Sequence, residues 1–193
     1  MALLVLATAA EGPYERPRAF DAARSGDLAA FERLMRQHER LVLATALRLT
    51  GSIEDARDVS QEVFLKLYRN LEKVQASEAL TSWLYRVTVN AAHDLTRKRR
   101  PESPVDDALP LPSTEAGPHE ALSEAERRRA LELSLRMLSE KERAALVLRD
   151  LEGLSTDEVA RALGSSEATV RSQISKARVK MKAFIERYLG RRK

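Results

Sequence analysis

Cysteine is absent from this chain of 193 residues. That excludes disulfides, thiol chemistry and cysteine-based zinc sites, and it fits a reducing, cytoplasmic setting. Histidine is scarce too. His38, His93 and His119 are scattered, and no metal-ligand spacing joins them. No metal and no cofactor is expected. HExxH, GxSxG, Walker and GxGxxG patterns are all missing. The paired carboxylates sit on helical surfaces beside basic residues, so the residues point away from an enzyme. No apolar run approaches the roughly 20 residues that cross a bilayer. The opening MALLVLATAAEG has a short apolar run without a basic n-region, and residues 1–24 read as a poorly ordered leader rather than a secretion signal. Aromatics make up only 5% of the chain, against 44% hydrophobic and 32% charged residues. Leu, Ala, Glu and Arg are good helix formers, so an all-α protein is expected.

What is present is unevenly distributed. The formal net charge is only +4, so the basicity is local, and local charge decides contact with nucleic acid. From Arg171 onward there are nine basic residues (Arg171, Lys176, Arg178, Lys180, Lys182, Arg187, Arg191, Arg192, Lys193) against the single acid Glu186. A second cluster is Arg97-Lys98-Arg99-Arg100. Between the clusters, residues 101–120 hold five of the seven prolines and five acids, with no Lys or Arg. Such a stretch has no helical period and cannot bury a core. It predicts an acidic linker over 101–119 between two small helical domains, 25–100 and 120–193.

Within the first block, Asp27 caps a helix carrying Leu28, Phe31, Leu34, Val42 and Leu49, which Gly51 stops. Ser52 with Asp55 opens a second helix, with Ala56, Val59, Val63, Leu67 and Leu71 at spacings of three and four. A looser segment is expected from Glu72 to Ser82. A third helix starts near Trp83 and runs into the Arg97–Arg100 cluster, where Pro101 ends it. Trp83 is explained by core packing. Tyr85 lies on another face of that helix, where an exposed ring beside basic residues could stack on an unpaired base.

The second block carries sharper punctuation. A helix from about Glu120 to Met137 comes first. Ser139 with Glu142, and Ser155 with Glu158, are capping boxes for the next two helices, closed by Gly153 and Gly164. Ser165 or Ser166 caps the last, Glu167 to about Tyr188. Thr156–Ile174 has helix-turn-helix spacing. Ala160 lies where helices cross closely, Gly164 follows four residues later in the turn, and Val170 six after that plugs the final helix into the core. This leaves Ser166, Thr169, Arg171, Ser172, Ser175 and Lys176 facing outward. Arg can read a guanine bidentately, while Ser and Lys can hold bases or phosphates.

These stretches in series resemble the extracytoplasmic-function (ECF) sigma factors of the sigma-70 superfamily, the compact kind with regions 2 and 4 only. DARDVSQEVFLKLYRNL (Asp55–Leu71) is similar to region 2.2, and TSWLYRVTVNAAHDLTRKRR (Thr81–Arg100) resembles regions 2.3 and 2.4. Leu138–Phe184 resembles region 4. Gln173 and Ser175 depart from the common pattern, which obscures the preferred −35 sequence. The resemblance implies promoter-specific initiation by a chain that binds core RNA polymerase, through the β′ coiled coil and the β flap. Asp55, Asp58, Gln61, Glu62, Lys66, Arg69 and Asn70 would meet the polymerase. Gln75, Ser77, Thr81, Trp83, Tyr85, Asn90, Arg97, Lys98 and Arg99 would engage −10 DNA, with a flipped base held near Gln75–Thr81. Ser166, Thr169, Arg171, Ser172, Ser175 and Lys176 would read −35 DNA. The family also implies an anti-sigma factor as partner. A free-standing helix-turn-helix regulator is the alternative; it would usually dimerise. No sustained heptad is present, so a monomer is expected when free. An interaction adaptor with an incidental basic tail is a third reading.

Overall fold

The computed structural model describes residues 15–74, 77–99 and 124–190, and no strand occurs among them. The N-terminal lobe holds α1 (Glu15–Arg24), α2 (Leu28–Thr50), α3 (Ile53–Asn70), a 3-10 turn (Leu71–Lys73) and α4 (Ser77–Arg99). The C-terminal lobe holds α5 (Glu124–Arg136), α6 (Glu140–Leu146), a π turn (Val147–Leu151), α7 (Thr156–Leu163) and α8 (Glu167–Gly190). The expected linker 101–119, the leader residues 1–14 and the candidate Gln75 lie outside the described residues.

Local chemistry explains most boundaries. The Asp27 carboxylate accepts the Ala30 N–H at 3.0 Å and starts α2. Gly51, at φ +72°, ends it, its N–H donating to Leu47 O. Ser139 and Ser155 each take the N3 amide, while Glu142 and Glu158 return a bond to the cap's own N–H. Each reciprocal pair satisfies two donors that a helix start otherwise leaves bare. Ser166 completes the series, accepting the Thr169 N–H at 3.2 Å.

Two stretches are more helical than the sequence reading expects. Residues 15–24 are not loose leader but α1, because Phe20 (1% exposed) and Ala23 bury one narrow stripe of a polar segment against the lobe. Helix α4 begins at Ser77, not near Trp83. Leu80 and Leu84 are both buried, and four-residue spacing aligns them with the α4 core face. Residues 77–82 of the expected loose segment therefore belong to α4.

The two lobes are not held apart. Phe20, Leu67 and Leu84 on one side and Val147, Val159 and Val170 on the other belong to a single buried cluster. Packing between the lobes runs through α2 against α6 and the π turn, and through α4 against α7.

Glu142 gives the C-terminal lobe a pH dependence. Burial works against its charge, but Lys180 Nζ at 2.8 Å and the Ser139 cap bonds more than offset this, so its carboxyl lies below the usual range. A depressed folded pKa means stability that is present above the ordinary carboxylate pKa and lost as pH falls through the folded value. Urea midpoints of Glu142→Gln and the parent chain should therefore differ at pH 7 and converge under acid. A constant gap across that range would contradict the assignment.

Candidate nucleic-acid interface

Helix α7, the turn at Gly164 and helix α8 form the helix-turn-helix. Gly164 sits at φ +58° with nothing within 4 Å of where a Cβ would stand, so conformation rather than space demands glycine there. Ser165 N–H closes the turn on Ala160 O at 2.9 Å. Val170 is 0% exposed and Ala160 6%, which locks the two helices together as their spacing predicts. All six candidates on this motif, Ser166, Thr169, Arg171, Ser172, Ser175 and Lys176, are solvent-exposed. The Ser166 and Thr169 hydroxyls lie 2.8 Å apart. Arg171 forms an ion pair with Glu167, one turn earlier. Such exposed pairs are worth only about 0–1 kcal/mol, so the guanidinium can leave for a base.

The tail's positive charge is divided between two jobs. Arg178 grips Asp150 with two bonds, at 2.9 and 2.7 Å, and these hold its guanidinium protonated even more firmly than usual. Lys180 is committed to Glu142. Both tie α8 to the body of its lobe, which leaves Arg171 and Lys176 as the outward-facing cations at its N-terminal half.

On α3, Asp58, Gln61, Glu62 and Arg69 are exposed, while Asp55, Lys66 and Asn70 are half-buried. Lys66 pairs with Glu62 at 3.2 Å, and the Asn70 amide donates to Lys66 O at 2.8 Å. On α4, Asn90, Arg97 and Lys98 are exposed; Trp83, Asn90 and Arg97 recur every seventh residue, along one stripe. Trp83 is half-buried against the core. Arg97 pairs with Asp94 at 3.0 Å. Ser77 and Arg99 lie at the two ends of α4. The sets on α3 and α4 meet across one polar groove of about 230 Å³, lined by Asp58, Glu62 and Lys66 on one wall and Asp94 and Lys98 on the other.

Two expectations fail here. Tyr85 is not available for stacking: it is 5% exposed, and its hydroxyl donates to Glu152 Oε2 at 3.1 Å. Burial pushes its pKa up, the Glu152 charge and hydrogen bond add to this, and Arg48 opposes, so the phenol stays a neutral donor. The C-terminal lobe covers the face that the α4 sequence alone leaves open. Nor do Ser77 and Thr81 belong to a loop; they lie in the first turns of α4, where Thr81 is half-buried.

The same order of elements occurs in known proteins. A family model described as Sigma-70 region 2 matches residues 34–102, and one described as Sigma-70, region 4 matches residues 128–181. The ECF RNA polymerase sigma factor SigE of Mycolicibacterium smegmatis is 34% identical over 175 residues, covering 88% of this chain and 67% of that protein. SigM of Mycobacterium tuberculosis, also an ECF RNA polymerase sigma factor, is 33% identical over 174 residues, covering 88% of this chain and 85% of its own length. The chain belongs to the ECF group of sigma-70 factors. Among solved structures, CnrH in complex with the cytosolic domain of CnrY superposes with a TM-score of 0.65 at 27% identity, over 89% of this chain and 97% of CnrH. RpoE of Bartonella quintana shares the fold, with a TM-score of 0.64 at 22% identity over 81% of this chain and 96% of its own. Among the described residues of this sigma factor, no helix is long and apolar enough to cross a membrane.

Three residues of the sigma factor were not visible as a group in the sequence. Arg136 donates to Gly51 O and Arg143 to Leu49 O, both at 2.6 Å. These carbonyls close α2, so each guanidinium caps the negative end of a helix from the other lobe. Glu152, just after the π turn, accepts from Thr45 Oγ1 at 2.9 Å, from Tyr85 and from Arg48. No periodicity signals such pairs, since their partners lie far away in the chain.

Proposed function

We propose that this sigma factor contacts core polymerase through α3, holds −10 DNA with the C-terminal half of α4, and reads −35 DNA with the N-terminal half of α8. The observation that carries this is the outward stripe Ser166–Lys176 on a helix locked into its domain by Val170, in series with the charged α3–α4 groove. Asp58, Gln61, Glu62, Lys66 and Arg69 would meet the β′ coiled coil as a stripe of mixed sign, which favours a charged helical partner. Asn90, Arg97, Lys98 and Arg99 would hold the phosphate backbone. The polymerase supplies the chemistry, and this chain supplies address and strand opening.

Magnitudes support a division of labour. Opening DNA costs about 1.4 kcal/mol per stacked step. A captured base returns about 1–3 kcal/mol, and neutralised phosphates add a salt-dependent share. One lobe is too small for the whole task. Two lobes tied to one polymerase gain from effective concentration.

An apolar groove of about 460 Å³ between α5, α6 and α8, walled by Leu131, Leu146, Leu151, Met181 and Ile185, suits an apolar helix such as one from the β flap. CnrH is held by a second polypeptide, and an anti-sigma factor is the corresponding partner proposed here.

Transcription in vitro from genomic fragments, with core polymerase and with or without this chain, tests the reading. Start sites that depend on the chain support it. Tight operator binding by an isolated dimer, without polymerase, would replace it with the free-standing regulator. Arg171→Ala should weaken initiation by about 1–3 kcal/mol, chiefly at promoters carrying the matching −35 base. Equal loss at every −35 variant would remove base reading from Arg171.

A further inference from the structure

We infer that Glu167 is a specificity-determining residue of the DNA-reading helix: together with Arg171 it selects a cytosine on the base pair next to the guanine that Arg171 reads, and it penalises contact with other DNA. The inference deepens the proposed reading of α8 and rests on it.

Glu167 opens α8, at the end proposed to enter the groove. The helix carries one other acid, Glu186, close to its far end. The acids that begin α7 are committed within that helix: Asp157 pairs with Arg161 at 2.8 Å, and Glu158 closes the capping box on Ser155. Glu167 instead holds Arg171, the side chain assigned to a base, and both remain well exposed, at 64% for the arginine and 44% for the acid. The neighbouring Ser166 and Thr169 hydroxyls are 2.8 Å from each other.

An acid in the first turn of a helix is favoured by the dipole whatever it faces. On a surface that meets DNA it is also repelled by the phosphates, so its presence there needs a matching donor. The major groove offers such donors on the exocyclic amines of cytosine and adenine. A carboxylate suits the cytosine N4 amine, whereas an amide suits adenine through N6 and N7. One helical turn sets Glu167 about 6 Å from Arg171 along the axis. Base pairs follow one another at about 3.4 Å, so the acid falls on a neighbour of the pair that Arg171 addresses.

The ion pair then acts as a test of sequence. At the matching site, guanine gives Arg171 two acceptors in exchange for the carboxylate, and cytosine gives Glu167 a donor in exchange for the guanidinium. At any other site a phosphate can satisfy Arg171, but Glu167 is left unpaired in a field of negative charge. Non-specific grip is therefore weakened more than specific grip.

Transcription in vitro by the full chain with core polymerase, from promoters randomised across the −35 element, tests this. The parent should favour cytosine at a position adjacent to the one where Arg171→Ala loses selectivity. Glu167→Gln should move that preference from cytosine to adenine, by about tenfold. Glu167→Ala should flatten it and raise affinity for unrelated duplex by about threefold or more, read by anisotropy at low salt. A merely structural role would shift urea midpoints and lower output equally at every promoter, leaving base preference in place. The same preference in the parent and both variants would overturn the assignment. Arg171→Ala separates the two levels of the argument. If its loss is equal at every −35 variant, the reading of α8 itself fails. If its loss is base-selective while the Glu167 variants keep the parent's preference, the role of Glu167 alone is rejected.

Discussion

Replacing Lys66 and Arg69 together by glutamate should reduce affinity for core polymerase by about 4 kcal/mol, roughly a thousandfold. Both lie on the polar side of α3, Arg69 exposed and Lys66 half-buried beside Glu62. Each reversal removes an attraction and inserts a repulsion, and one misplaced charge at a complementary interface costs about 2 kcal/mol or more. Folding should hardly change. The exposed change, Arg69→Glu, falls within about 0.5 kcal/mol. The Lys66→Glu change sets a second carboxylate one turn from Glu62, and that repulsion adds only about a few tenths of a kcal/mol. Anisotropy titration with core polymerase measures the first quantity and urea unfolding the second. Unchanged affinity would take α3 out of the polymerase contact.

Val170→Asp should destabilise the C-terminal lobe by about 4 kcal/mol or more, because it buries a carboxylate with no partner. Val170 is 0% exposed and sits where α8 crosses α7. Val170→Ala removes only two methyl groups and should cost about 2 kcal/mol. The aspartate variant should also lose −35-dependent transcription, since Arg171 and Ser172 are aimed by the helix that Val170 anchors. Urea midpoints of the two variants, compared at neutral pH, give the difference. Equal midpoints for aspartate and alanine would mean that position 170 reaches water.

These two outcomes differ in how far the sequence foretold them. Val170 was legible because a helix-turn-helix is local: Ala160, Gly164 and Val170 fall within eleven residues, and caps at Ser155 and Ser166 mark the boundaries. The same holds for α2 and α3, whose ends are written in Asp27, Gly51 and Ser52. The α3 stripe was legible as polar, and its exposure follows from the opposite face being apolar. Helix α1 leaves little trace in the sequence because Phe20 and Ala23 make too short a period in a polar segment. The start of α4 is not legible because Ser77 to Ser82 is weakly patterned, and only tertiary burial of Leu80 settles it. Tyr85 misled for a deeper reason. Its neighbours along α4 imply an open face, but the covering group, Glu152, is 67 residues away. Arg136, Arg143 and Glu152 were invisible on the same ground, since each is an ordinary surface charge until the lobes meet.

The groove shared by α3 and α4 has a pharmacological side. Attachment to the enzyme and grip on the opened strand are assigned to its two walls, Glu62 and Lys66 on one and Lys98 on the other. A compact zwitterion lodged there would jam both tasks with a single molecule. Escape by mutation would then be hard, since altering either wall to evict the intruder damages one of the two duties proposed for the groove.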